Sequence, residues 1–217
     1  MTDAPRRTIY LVRHGQTEWN AERRMQGQWD SRLSEAGRAH ADASGRFLAT
    51  CGVEAVFASP LGRVQETAAI IRRHLDIEPV NDPRLMEWSS GDWSGRLYAD
   101  LQTDDPETFA AWRADMINVR SPNGENFLDL AVRARSFLDD IAESRAQTIA
   151  LIAHGFINRA LLCAVTEAEP ATMLGVRQGN DAIICVKGHG PNAEVCHYVG
   201  GEGPHAGPPT EAAQPVA

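Results

Sequence analysis

Residues 8–15 read TIYLVRHG, and the fold can be inferred outward from this segment. The β-prone and apolar residues from Thr8 to Val12 predict a short strand, and an arginine, a histidine and a glycine follow where it ends. A second stretch, TIALIAHG at residues 148–155, also predicts an apolar strand that ends in a His-Gly pair. A continuous apolar run is typical of a strand covered on both faces of a sheet.

Strand-like and helix-like segments alternate along the rest of the chain. Further strands are predicted at residues 54–58, 181–186 and 194–199, and helices at residues 34–51, 61–75, 127–141 and 157–165. This alternation predicts an α/β fold, a three-layer α/β/α sandwich with a mostly parallel central sheet. In such sheets ligands bind at the carboxyl ends of the strands, which directs attention to the two His-Gly pairs.

Composition narrows the function classes. The chain has 217 residues, 43% of them hydrophobic and 23% charged, as in an ordinary globular domain. The net charge of −8 argues against nucleic acid as a partner. The four cysteines form no metal-binding or redox motif. Because no signal-peptide core and no apolar run of membrane-spanning length is visible, we expect a cytoplasmic protein that binds no membrane.

Residues suited to phosphoryl transfer follow three predicted strands. Arg13 and His14 follow the first, and His154 follows the strand at residues 148–153. Arg63 opens a helix just after the strand at residues 54–58. Arginine grips two phosphoryl oxygens at once, and a histidine with a free ring nitrogen is a competent covalent nucleophile. Such a site would need no metal and no cofactor.

The sequence also resembles the histidine phosphatase superfamily, the phosphoglycerate mutase-like group. The resemblance begins at LVRHGQTEWN (residues 11–20) and spans residues 8–187 in the family's order and spacing. Its further motifs are QG (26–27), LSEAG (33–37), SPLGRVQETA (59–68), LME (85–87), GDWSG (91–95), GE (124–125) and HG (154–155). Two positions depart from the commonest pattern, because Gln16 is often Glu and Phe156 is often Gly. We expect Phe156 to narrow the pocket near His154.

The resemblance implies a covalent mechanism. His14 would carry the phosphoryl group, while Glu87 would give a proton to the leaving oxygen and then activate water. The residues that it implies contact the substrate are Arg13, Asn20, Gln26, Gly27, Arg63, Glu87, His154 and Gly155. Among them Arg13, Arg63 and His154 would bind the phosphoryl group and act in catalysis. No metal site is implied.

The resemblance also suggests the domain organisation. Residues 1–199 would form the histidine phosphatase domain, with an insertion at about residues 88–124 that covers the site. Trp112 and Met116 in this insertion could form a substrate wall or a small satellite core, and Trp93 is expected to pack under the Glu87 loop. From residue 200 to 217 the chain is rich in Gly, Pro and Ala. Too little of that segment can be buried to offset its ordering entropy, which predicts a disordered tail.

Three functions remain open at this level. The first is a phosphomonoester phosphatase that acts on a small substrate as a monomer or homodimer. The second is a mutase, although mutases of this family usually carry a longer insertion and an Arg-His-Tyr-Gly-like run where this chain has WSSG (residues 88–91). The third is a non-catalytic relative that binds a phosphorylated ligand.

Overall fold

The computed structural model describes residues 7–210 of the chain. The strands are β1 Thr8–Arg13, β2 Ala55–Ala58, β3 Val80–Asn81, β4 Thr148–Ala153, β5 Ala182–Lys187, β6 Glu194–Val199 and β7 Glu202–Ala206. The helices are α1 Glu18–Ala21, α2 Glu35–Ala49, α3 Gly62–Leu75, α4 Tyr98–Asp104, α5 Pro106–Ala114, α6 Phe127–Ala142, α7 Gly155–Thr166 and α8 Pro170–Met173. Single turns of 3₁₀ helix lie at Pro83–Leu85 and Gly91–Trp93. In this range, none of the helices combines the length and the apolarity needed to span a lipid bilayer.

All seven strands form one sheet in the order β3-β2-β4-β1-β5-β6-β7. The strands from β3 to β1 are parallel to one another, which confirms the predicted parallel core. The remaining strands, β5 to β7, join by antiparallel pairing. The connections from β5 to β6 and from β6 to β7 are short, whereas a parallel pairing would need a crossover of a dozen or more residues.

Helices cover both faces of the sheet, as the three-layer prediction requires. Ile9 and Leu11 of β1 point into a core shared with α6 and α7. Tyr10 and Val12 point the opposite way, into a core shared with α2 and α3. Successive strand residues alternate between faces, so a run that is apolar throughout fills both cores.

The prediction of disorder from residue 200 onward is wrong for the described part of that segment. Glu202–Ala206 forms β7, which pairs with β6, and Thr210 makes a bridge to Val176. Backbone pairing stabilises this segment, although its side chains are mostly exposed. The composition rule considers only side-chain burial and so misses it. Residues 211–217 lie outside the described range.

The predicted cover at residues 88–124 packs as an extension of the main core. Trp88 and Trp112 stack with ring centroids 5.2 Å apart, and Trp93 meets Trp112 edge to face at 5.6 Å. Trp112 is 3% exposed and belongs to the same apolar cluster as α6 and α7. Of the two interpretations of Trp112, the packed core is therefore the one that the structure supports, and Met116 packs against that core.

Candidate active site

Strand pairing brings the two predicted histidines together. β1 and β4 run parallel with Arg13 opposite Ala153, so His14 and His154 leave the sheet side by side. Their ring centroids are 5.1 Å apart, and both side chains are buried. The guanidinium of Arg63 completes the group, since its Nε lies 3.3 Å from Nε2 of His14. We call Arg13, His14, Arg63 and His154 the strand-end pocket.

Hydrogen bonding fixes the tautomer of His14. Its Nδ1 lies 2.8 Å from the carbonyl oxygen of Gly15, which can only accept, so Nδ1 carries the ring proton. Nε2 is then unprotonated and accepts the Nε–H of Arg63. The nitrogen that faces Arg63 therefore holds a lone pair, which is the form a nucleophilic imidazole needs.

Both histidines of the pocket are neutral near neutral pH. Burial lowers the pKa of His14 well below 6.5, and the positive charges of Arg63 and Arg13 lower it further. The pKa of His154 is also lowered well below 6.5, by burial first and then by Arg63, His14 and Arg13. Adding a proton to either ring would place another positive charge in an enclosed cationic site.

Arg63 is held rigidly from several sides. Its Nη2 donates to the carbonyl of Gly27 at 2.7 Å, and Nη1 donates to the carbonyl of Trp29 at 2.7 Å and to Asp30 Oδ1 at 2.9 Å. The side chain is almost fully buried, whereas that of Asp30 is partly exposed. The loop that follows α1 thus orients the guanidinium toward His14. Asp30 is a positioning residue that the sequence analysis missed.

Arg13 and His154 each keep one polar atom without a partner. Arg13 donates from Nη1 to the carbonyl of Gln178 at 2.6 Å, while its buried Nε has no hydrogen-bond partner within residues 7–210. Nε2 of His154 forms a hydrogen bond with the hydroxyl of Ser59 at 2.9 Å. The buried Nδ1 of His154 has no hydrogen-bond partner within residues 7–210. Buried donors are rarely left unsatisfied in proteins, so these two atoms indicate where ligand oxygens bind.

Ser59 contacts His154 and can set which nitrogen of that ring carries the proton. The Ser59 hydroxyl oxygen accepts from the backbone N–H of Leu61, and its hydrogen can be donated to His154 Nε2. With the bond in that direction, the neutral ring carries its proton on Nδ1, the unpartnered nitrogen. Ser59 was noted in the sequence only as the end of a strand, and its action on His154 becomes visible from the pairing of β2 with β4.

Glu87 lies at the amino end of α7. Its carboxylate accepts from the backbone N–H groups of Phe156 and Ile157, both at 3.2 Å, and from that of Trp88 at 3.1 Å. These three hydrogen bonds fix the position of the carboxyl group at the first turn of α7. A Cβ built on Gly155 would lie 3.6 Å from Arg13 Nε and 3.9 Å from Glu87 Oε2, so both side chains lie beside Gly155.

The remaining predicted residues border the pocket in different ways. Gly27 has φ of +53°, and a Cβ there would lie 2.3 Å from Ser90 Oγ, so only glycine fits. Gln26 is buried, and its Oε1 has no partner within the described residues. Asn20 uses its Oδ1 to accept from both the backbone and the hydroxyl of Thr17, forming a capping box. Contact of Asn20 with the substrate stays a prediction.

The loop before β5 supplies support that the sequence analysis missed. Gln178 accepts from Arg13 and donates to the backbone of Leu11, and Asn180 donates to the carbonyl of His14 at 2.9 Å. Because β5 runs antiparallel to β1, the start of β5 lies at the edge where β1 ends. A wholly parallel sheet would place this loop at the opposite edge.

Arg133 of α6 was also missed. It donates to the carbonyls of Arg84, Met86 and Glu87 and forms an ion pair with Glu125. It therefore fixes the backbone that carries Glu87. The only signal in the sequence was the Gly-Glu motif at residues 124–125, which gave no partner for the glutamate.

As a whole, the site offers a neutral imidazole with an unprotonated Nε2, and cationic or N–H donors around it. The carboxyl group of Glu87 lies beside Gly155. This arrangement can bind a tetrahedral dianion, displace one of its oxygens, and exchange a proton with that oxygen.

Comparison with known proteins agrees with this geometry. Residues 9–199 match the family model of the histidine phosphatase superfamily (branch 1). The chain is 38% identical over 173 residues to "Probable phosphoglycerate mutase GpmB" of Enterobacter sp. (strain 638), covering 77% of this chain and 75% of that protein.

Similar solved structures include phosphatases. A mycobacterial glucosyl-3-phosphoglycerate phosphatase in complex with VO3 has a TM-score of 0.79 and 31% identity, over 89% of this chain and 98% of the other. The alpha-ribazole phosphatase of Shigella flexneri has a TM-score of 0.77 and 25% identity, over 82% and 89%. The chain therefore belongs to the histidine phosphatase superfamily, branch 1.

Proposed function

We propose that the protein is a phosphomonoester phosphatase that forms a phosphohistidine on His14 and needs no metal. The observation that carries this proposal is the fixed tautomer of His14. Its Nδ1 is tied to the Gly15 carbonyl, and its Nε2 lone pair lies within a site of buried cations. The positive charge that a metal ion often supplies to phosphoryl transfer would come here from Arg13 and Arg63.

In the first step Nε2 of His14 attacks the phosphorus and the bond from phosphorus to the alcohol oxygen breaks. A phosphoryl oxygen takes the place of Nε2 as the acceptor of the Arg63 Nε–H, while the guanidinium stays held by Gly27, Trp29 and Asp30. Glu87, in its protonated form, gives its proton to the departing oxygen. Arg13 Nε and His154 Nδ1 donate to the other phosphoryl oxygens, which satisfies both atoms.

In the second step a water molecule attacks the phosphorus of the phosphohistidine. Glu87, now ionised, takes a proton from that water, and the bond from phosphorus to Nε2 breaks. Inorganic phosphate leaves, and His14 returns to its neutral form. Each group ends in the state in which it began.

Hydrolysis is favoured over mutase chemistry by the short cover. Residues 88–124 are largely used in packing among Trp88, Trp93, Phe109 and Trp112. A mutase primed by bisphosphoglycerate must retain its bisphosphorylated intermediate and keep water away from the phosphohistidine. The similarity to a protein named phosphoglycerate mutase keeps transfer within phosphoglycerate as the second candidate.

The deciding experiment follows the fate of the phosphoryl group. With 3-phosphoglycerate or p-nitrophenyl phosphate, we expect inorganic phosphate to be released in the presence of EDTA and without a bisphosphoglycerate primer. An acid-labile phosphoenzyme should be trapped in the wild type and in the control His189→Gln, whose exposed histidine lies outside the site. It should be absent from His14→Gln.

Two results would refute the proposal. Formation of 2-phosphoglycerate that depends on the primer would assign mutase activity. Full turnover in His14→Gln would end the covalent mechanism.

A further inference from the structure

Arg159 lies next to the site, and the mechanism above makes no use of it. It is on α7, and its guanidinium carbon stands 4.7 Å from the centre of the Phe156 ring. Its buried Nε has no hydrogen-bond partner, and the side chain forms no ion pair, within the part of the chain that the structure describes. The residue as a whole is partly exposed, but a buried Nε–H without a partner is costly unless a ligand satisfies it.

Helix geometry directs Arg159 toward the leaving-group side of the pocket. Residues four apart lie on the same helix face, so Arg159 shares a face with Gly155, beside which Arg13 and Glu87 both lie. Helical side chains also point back toward the amino end, as the stacking on Phe156 shows. The guanidinium of Arg159 therefore points toward the amino end of α7, where the carboxyl group of Glu87 lies.

Positive charge around Arg159 is in excess. Burial, and then the charges of Arg177 and Arg13, lower the pKa of Arg159 to about 10, while Glu87 raises it by a smaller amount. The group stays protonated at neutral pH. By contrast, Arg63 has Asp30 and Arg133 has Glu125 as acidic partners. Among residues 7–210 Arg159 has no acidic side chain in ion-pair contact, a state that it shares only with Arg13 among the arginines named here.

We propose that Arg159 binds a second anionic group, a carboxylate or a phosphate, on the alcohol part of the substrate. The proposal rests on the phosphatase function inferred above and makes its substrate class narrower. The phosphoryl group would bind in the strand-end pocket, and the second anion would bind beside Phe156. Because Gly155 and Arg159 are one helical turn apart, about 6 Å along the axis, a short alcohol of a few carbons could reach both sites.

The test uses substrate pairs that differ in one anionic group. 3-Phosphoglycerate is compared with glycerol 3-phosphate, which replaces the carboxylate by a hydroxymethyl group. Glucose 1,6-bisphosphate is compared with glucose 6-phosphate, so that a phosphate is distinguished from a carboxylate. The readout is the ratio of kcat/KM within each pair.

We expect the wild type to prefer the doubly anionic member of at least one pair. Arg159→Gln should lower that ratio about 10- to 100-fold, the range typical of a hydrogen-bonded ion pair. Arg159→Lys should restore part of the ratio, because a lysine keeps the positive charge but loses the bidentate hydrogen bonding of a guanidinium. The matched control is Arg135→Gln, an exposed arginine of α6, which should leave the ratio unchanged.

An unchanged ratio in Arg159→Gln would overturn the proposal and leave Arg159 as a residue that covers Phe156. Equal loss on both members of a pair would do the same. Circular dichroism checks folding, and Arg159→Lys keeps the test valid if the glutamine variant does not fold. If no phosphomonoester is hydrolysed, the phosphatase function fails, but calorimetric titration with 3-phosphoglycerate and glycerol 3-phosphate still tests the anion site.

Discussion

The strand-end pocket and the cover at residues 88–124 are built on opposite principles. The pocket buries Arg13, His14, Arg63 and His154, and hydrogen bonds to backbone carbonyls, Ser59 and Asp30 hold them in place. The cover is dominated by stacked and edge-to-face aromatic rings. One region is rigid through directional polar contacts and the other through apolar packing.

This difference predicts which substitutions should affect the rate and which should affect stability. A change in the pocket disturbs a ring tautomer or a cation that would bind the phosphoryl group, so it should alter rate more than stability. A change in the aromatic core of the cover should alter stability more than the chemical step. Phe156 and Arg159 stand at the boundary between the two regions, which is where a substrate's alcohol part would meet the protein.

The largest expected effect is on the pocket side and concerns Glu87. Glu87→Gln removes the proton that the leaving oxygen needs, so alkyl phosphates should be hydrolysed about a thousandfold more slowly. Aryl phosphates, whose leaving oxygen needs little protonation, should be slowed far less. Steady-state rates over a series of leaving groups measure the difference. Equal slowing for all of them would contradict the acid role.

On the cover side, Trp112→Ala should cost about 3 to 5 kcal/mol of stability, as for other large buried aromatic residues. The expected midpoint shift is large in urea, while kcat for p-nitrophenyl phosphate at low temperature should stay within a few-fold of the wild type. Trp29→Ala is the matched control, because Trp29 is 58% exposed. A wild-type urea midpoint in Trp112→Ala would show that the cover is not part of the core.

A smaller effect is expected from the loss of the Ser59 hydroxyl. Ser59→Ala removes the hydroxyl that directs the proton of His154 to Nδ1, and kcat/KM should fall about tenfold, the value of one hydrogen bond. Nitrogen NMR of the labelled ring should show the Nδ1–H tautomer in the wild type and a mixture in the variant. Ser59→Thr keeps the hydroxyl and should retain the tautomer. A single Nδ1–H tautomer in Ser59→Ala would contradict the assignment.

The smallest effect concerns pH. The pKa of His14 is lowered in the folded protein, so below pH 6.5 the unfolded chain takes up a proton that the folded chain does not. Stability is therefore complete above pH 6.5 and is lost as the pH falls. Each such histidine contributes a slope of about 1 kcal/mol per pH unit.

Urea unfolding at pH 7.5, 6.5 and 5.5 tests this expectation. His14→Gln should lose less stability on acidification than the wild type, because it lacks one of the two depressed groups. Identical slopes would mean that His14 takes up its proton equally in both states.

The α/β architecture and four residues of the candidate active site could be predicted from sequence patterns. Continuous apolar strands bury both faces and must therefore be central, and their carboxyl ends then carry His14 and His154 to one edge. Arg13 and Arg63 follow from the same rule. Glu87 was identified through the resemblance alone, since an isolated glutamate in a loop has no periodic pattern to locate it.

The contacts that support the candidate active site could be identified from the folded chain but not from the sequence. The antiparallel direction of β5 brings Gln178 and Asn180 to the pocket, and β7 is held by backbone hydrogen bonds that side-chain composition does not encode. The unpaired state of Arg159 is likewise invisible in the sequence, because it depends on which acidic groups lie near it in space. Local patterns determine which faces are buried, whereas the partner of each polar group depends on distances between residues that are far apart in the chain.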